Sequence, residues 1–127
     1  MWRNMMDFGN VLRNIRRNHK LTQQNIAEII GKTSMYIGGI ESGKNGPLKE
    51  EDLKKIYSSI DLTTEERENL EYAAFCSTGR VSVQIVNYLL DVKSAYRLLK
   101  VLSKEHATDS EINWILNYYL IKNKGEN

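Results

Sequence analysis

The stretch that most constrains this chain is residues 22–44, TQQNIAEIIGKTSMYIGGIESGK. Ile26, Ala27 and Ile30 recur at helical spacing, and so do Ile37 and Ile40. Gly31 stands between the two runs and marks a tight turn, and Gly43 after the second run reads as a left-handed C-cap. Each run is far shorter than an isolated helix needs to persist in water. The two therefore have to pack on each other and on supporting helices elsewhere in the chain.

Two helices joined by a tight glycine turn make a helix-turn-helix, whose second helix can lie in the DNA major groove. Residues 8–74 resemble the Cro/cI-type (XRE) helix-turn-helix family. The resemblance rests on residues in a fixed order: Leu21-Thr22-Gln23, Ala27, Gly31, Ile37 and Ile40, then Glu41-Ser42-Gly43-Lys44 with Pro47 soon after. It implies an all-α fold, with a five-helix lambda-repressor-like domain followed by a helical C-terminal extension of about three helices. It implies contact with double-stranded DNA through Gln23, Lys32, Thr33, Ser34, Met35, Tyr36, Gly39, Lys44 and Asn45, and a structural ion pair between Arg16 and Glu41. Within that set Gln23 is either a phosphate contact or a surface residue, and Tyr36 either a phosphate contact or a packing residue.

The positions that match the family's base readers are Thr33, Ser34, Met35 and Gly39. None is Arg, Gln or Asn, so none can pair in bidentate fashion with guanine or adenine. Thr33 and Ser34 can make single hydrogen bonds, and Met35 can touch a thymine methyl. Gly38 and Gly39 are adjacent inside a short helix, each costing about 1 kcal/mol relative to alanine. That cost calls for a reason: close approach of the backbone to DNA or to a neighbouring helix, or a recognition helix put to another use.

Taken in order, residues 1–6 read as a loose tail. Asp7 can cap a helix running to about Asn18, with Phe8, Val11, Leu12 and Ile15 as its apolar stripe. Arg13 and Arg17 read as solvated bases. Thr22 caps the second helix, and the third runs from about Thr33 to Ser42. A fourth is expected over about Lys49 to Ser59. Thr63 and Glu66 form a capping box opening a fifth that reaches about Phe75. Cys76-Ser77-Thr78-Gly79-Arg80 reads as a hinge, dividing a DNA-binding domain at 1–75 from a helical region at 76–127. Helices follow at about Ser82 to Leu90, Ser94 to Lys104 and Asp109 to Lys122, the last opened by a capping box of Thr108 and Glu111. Their apolar faces are broad, which suggests burial on two sides. Residues 81–122 are therefore expected to hold a homodimer interface or a site for a protein partner.

Charge is uneven along the chain. Residues 1–46 hold seven bases against three acids, net +4, whereas residues 47–75 are net −4 and residues 76–127 net +2. A basic end carrying the helix pair fits phosphate contact, and the acids of 47–75 sit mainly in first turns of helices, where the helix dipole favours them. The 41% apolar content of the 127 residues is enough for a packed core. No run approaches the roughly 18 consecutive apolar residues of a membrane span, and no signal-peptide pattern is present, so a cytoplasmic protein away from the membrane is expected. Cys76 is the one cysteine. His19 and His106 lack metal-ligand spacing, and there is no phosphate-binding glycine loop. Neither a cofactor nor an enzymatic activity is expected. Two functions remain: a sequence-specific transcriptional regulator, of phage- or mobile-element-repressor kind, or a protein-interaction module on the same scaffold, such as an antitoxin or a phage-encoded inhibitor.

Overall fold

A computed structural model describes residues 7–125; the expected tail at 1–6 lies outside the described residues. Those described form eight α-helices and no strands. The chain divides between Ser82 and Val83 into two compact units. The first holds α1 (Phe8–Asn18), α2 (Gln23–Ile30), α3 (Ser34–Glu41), α4 (Glu50–Ser59) and α5 (Thr64–Thr78). The second holds α6 (Val83–Asp91), α7 (Lys93–Lys104) and α8 (Asp109–Gly125). The all-α fold expected from the sequence, five helices and then three, is what these residues adopt.

Local chemistry sets most helix ends. The Asp7 carboxylate accepts from the Gly9 N–H and starts α1. Thr63 and Glu66 exchange hydrogen bonds at the start of α5, and Thr108 and Glu111 do so at the start of α8. The hinge expected at 76–80 is corrected. Cys76, Ser77 and Thr78 form the last turn of α5, and Thr78 Oγ1 donates back to the Ala74 carbonyl. Nothing in Cys-Ser-Thr forbids a helix. Gly79, at φ +72°, is what ends it.

The first unit owns a core. Phe8, Leu12 and Ile15 of α1 meet Ile26, Ala27 and Ile30 of α2, and Ile37 and Ile40 of α3. Leu53 and Ile56 from α4 and Leu70 and Ala73 from α5 close it. Leu48 and Leu62, from the connections flanking α4, are buried as well, and no helical periodicity marks them. Val11 is only partly covered. α1 packs on α3 and α5, and α2 packs on α3 and α4. Two contacts pin the rim: His19 Nε2 lies 3.0 Å from a Glu66 oxygen, and Arg67 stacks 4.6 Å over the Tyr57 ring.

The second unit differs. α6 packs on α7, yet no described residue of the unit is buried. Leu89, Val92, Ala95, Leu102, Ala107 and Ile112 are half-covered. Most of the larger apolar side chains stand in solvent, led by Leu90 at 78% and Trp114 at 72% exposure. No helix among the described residues is long and apolar enough to cross a membrane.

Candidate nucleic-acid interface

The α2–α3 pair is built by two caps and one glycine. Thr22 Oγ1 accepts from the Asn25 N–H while Asn25 Oδ1 accepts from the Thr22 N–H, at 3.0 and 2.8 Å. Asn25 thus serves where a capping box usually has Glu or Gln. Gly31 takes φ +70° and closes α2, and Lys32 N–H returns to the Ala27 carbonyl. Thr33 Oγ1 then accepts from Tyr36 N–H and opens α3. Three residues suffice to reverse the chain, because each free helix end finds a partner within the turn.

α3 buries Ile37, Ile40 and Glu41. Its outer face begins with Thr33, half-covered Ser34 and Met35, the last 85% exposed. Gly39 lies one turn beyond Met35 on the same face. Lys32 and Lys44 are exposed at the two ends of the helix, and Lys32 Nζ sits 5.8 Å over the Tyr36 ring. Tyr36 itself packs against the core.

Behind this face, Glu41 ties three helices together. Its side chain is only 1% exposed. Arg16 grips it with a two-pronged fork, Nε to Oε2 at 2.7 Å and Nη2 to Oε1 at 3.0 Å. The third Arg16 nitrogen, Nη1, donates to the Leu21 carbonyl at 3.0 Å. Gln23 Nε2 donates to Glu41 Oε1 at 3.2 Å. Burial alone would push the Glu41 carboxyl up, but Arg16, Gln23 and Arg13 together outweigh it and hold the group below its usual range. The same contact raises the Arg16 guanidinium, against a smaller effect of burial. A buried charge kept ionised by a matched fork fixes geometry more than it adds stability. Here it fixes how α1 and α2 present α3.

Arg13 corrects the sequence reading. It is half-covered, and its Nη2 donates to the Glu41 carbonyl at 3.1 Å, with Nε 3.5 Å from Oε1. Its spacing is the signal: three residues before Arg16, it shares that residue's helix face. Arg17 is exposed. Gly9 was also missed. A Cβ there would overlap the Ile40 carbonyl oxygen and lie 2.7 Å from that of Glu41. α1 thus comes backbone-close to the end of α3, and only glycine permits it.

The paired glycines of α3 are not equivalent. At Gly38 a Cβ would meet the Gln23 amide at 3.5 Å, an ordinary contact. At Gly39 it would overlap Asn45 Nδ2 and lie 3.1 Å from Asn45 Cγ. Gly43, at φ +83°, turns the chain after α3, and the Asn45 N–H then donates to the Gly39 carbonyl at 2.9 Å. The structure therefore gathers Thr33, Ser34, Met35, Gly39 and Asn45 on the outward side of α3 and places Arg16, Gln23 and Glu41 behind it. No group of three His, Cys, Asp or Glu side chains suited to a metal ion occurs among the described residues.

A family model described as helix-turn-helix matches residues 12–66. Part of the chain is also similar to the isomerizing glutamine–fructose-6-phosphate aminotransferase of Methanocaldococcus jannaschii, 38% identical over 88 residues. The match covers 64% of this chain and 8% of that enzyme. So small a share of the enzyme gives no ground for carrying its activity over. No solved structure matches the chain.

Proposed function

Taking residues 12–66 as a DNA-binding helix-turn-helix domain of the Cro/cI (XRE) type, we propose that the chain is a sequence-specific transcriptional repressor, phage- or mobile-element-like, that binds operator DNA as a dimer. One observation carries the reading: the outer face of α3 is open. Met35 stands in solvent beside Thr33, and exposed Lys32 and Lys44 lie at the helix ends. In this pose α3 enters the major groove. Thr33 and Ser34 hydrogen-bond base edges, and Met35 contacts thymine methyls. Lys32, Lys44 and the second N–H of the Gln23 amide meet phosphate, holding the protein in register. Arg16 and Glu41 keep α3 at its angle and do not touch DNA.

The second unit supplies the dimer. A three-helix unit of this size with no buried residue among those described has too little core to stand by itself. A second copy covering the apolar faces of α6–α8 would provide that core. Helix-turn-helix dimers in general bind paired half-sites about one DNA turn apart. The same faces suit a different protein partner, which is the basis of the antitoxin or inhibitor reading. Salt separates the two, since phosphate contacts weaken steeply as salt rises and apolar contacts do not.

The test is fluorescence anisotropy on duplex DNA from upstream of the chain's own gene, against a scrambled duplex, at two salt concentrations. The expected result is salt-sensitive binding that prefers the upstream duplex and weakens in Ser34→Ala. Equal, weak binding to both duplexes, unchanged in the variant, would contradict it.

A further inference from the structure

The outer row of α3 has a gap. Met35 and Gly39 share one face a turn apart, and position 39 brings no side chain to it. The space is nevertheless filled. The Asn45 carboxamide lies where a side chain at 39 would begin, with Cγ 3.1 Å and Oδ1 3.7 Å from the Cβ position and Nδ2 closer still. The Asn45 N–H to Gly39 carbonyl bond and the left-handed turn at Gly43 hold it there. Asn45 is exposed, and its amide takes no hydrogen-bond partner among the described residues, whereas the Gln23 amide already donates one N–H to Glu41.

Resting on the DNA-binding reading above, we propose that Asn45 is a specificity-determining residue, supplying from the loop the base-reading carboxamide that α3 itself lacks, and that its target is an adenine. A carboxamide offers one donor edge and one acceptor edge, the pattern that matches adenine N6 and N7 in the major groove. Thr33, Ser34 and Met35 cannot make that paired contact. The arrangement also accounts for Gly39. Glycine at that position is poor for the helix, and Gln23 does not require it at the neighbouring Gly38. At 39 any larger residue displaces Asn45.

The pairing of Gly39 with Asn45 gives a test that separates specificity from folding. The full-length protein, Asn45→Ala, Gly39→Ala and the double variant are each used to enrich duplexes from a randomised pool. The enriched duplex is then titrated with every base pair replaced in turn. The unaltered protein should enrich a site with an A·T pair whose replacement by G·C weakens binding roughly tenfold. Asn45→Ala and Gly39→Ala should each lose discrimination at that pair alone and keep it elsewhere. The double variant should lose no more than either single one. Gly39→Ala should melt no lower than the unaltered protein, since alanine favours the helix, so its loss would not be one of folding.

Unchanged preference at every pair in Asn45→Ala would overturn the proposal while leaving DNA binding intact. So would a uniform loss across all duplexes, the mark of a phosphate contact. Failure of the unaltered protein to enrich any duplex would overturn both this proposal and the reading beneath it.

Discussion

Apolar side chains of the same kind meet opposite fates in the two units. Leu12, Ile37 and Leu70 of the first are sealed from solvent, while Leu90, Trp114 and Ile121 of the second stay at least two-thirds exposed. Both units are helical, and both open a helix with a Thr/Glu capping box. Backbone chemistry is therefore not what distinguishes them. The difference is whether helices of the same chain cover the apolar stripes. Burying one such side chain is worth about 1.5–3 kcal/mol, so the second unit holds back a large stabilisation that a covering partner would release.

Truncation should break the comparison most sharply. Ile37→Ala removes a fully buried side chain and should cost the first unit about 2–5 kcal/mol in a urea melt. Leu116→Ala, half exposed in the single chain, should leave that melt within about 0.5 kcal/mol and act on self-association instead. Equal effects of the two on the first transition would show that the units are not separate in stability.

Next in size is the buried carboxylate. Glu41→Gln strands Arg16 and weakens its fork, and should cost about 3 kcal/mol at neutral pH. The sign of its pH dependence follows from the depressed folded-state value. The Glu41 contribution is complete above the ordinary glutamate value of about 4.3. It is lost as pH falls through the lower value of the folded state. Glu66 acts in the same direction, held low by the Thr63 backbone N–H and then by His19. Melts from neutral pH into acid should therefore fall more steeply for the unaltered protein than for Glu41→Gln. Parallel curves would remove Glu41 as a source of acid sensitivity.

Smaller effects probe how α1 meets the rest. Gly9→Ala drives a methyl into the Ile40 and Glu41 carbonyl oxygens, and backbone cannot give way as a flexible side chain does. A loss of about 1–3 kcal/mol is expected on thermal melting. Lys20 ends α1 at φ +56°, a conformation costly for any residue with a Cβ. Lys20→Gly should gain a few tenths of a kcal/mol after the added chain entropy of glycine is subtracted. A loss of stability there would mean that the lysine side chain is held by contacts of its own.

Much of this was readable in the sequence because it is local. The stripe of Phe8, Leu12 and Ile15, the caps at Asp7, Thr22, Thr63 and Thr108, and the turn at Gly31 all depend on steps of no more than four positions. What escaped was tertiary. Arg13 looked like a solvated base because its partner, the end of α3, is distant in sequence. Gly9 and Gly39 carry no side chain to advertise what lies against them. Leu48 and Leu62 are buried from connecting segments that have no helical period. The end of α5 was misplaced because polar residues resemble a hinge, although only Gly79 breaks the helix. The breadth of the apolar faces beyond residue 81 was visible, but a stripe does not name what covers it.

The central claim is that the first unit is complete within one chain and the second is completed by another copy. Sedimentation velocity of the full chain at micromolar concentration tests it most directly, with Leu98→Glu/Leu116→Glu run alongside. The account predicts a dimer for the unaltered protein and a monomer for the double variant, with the first unit's melt unchanged. A monomer for both would contradict it.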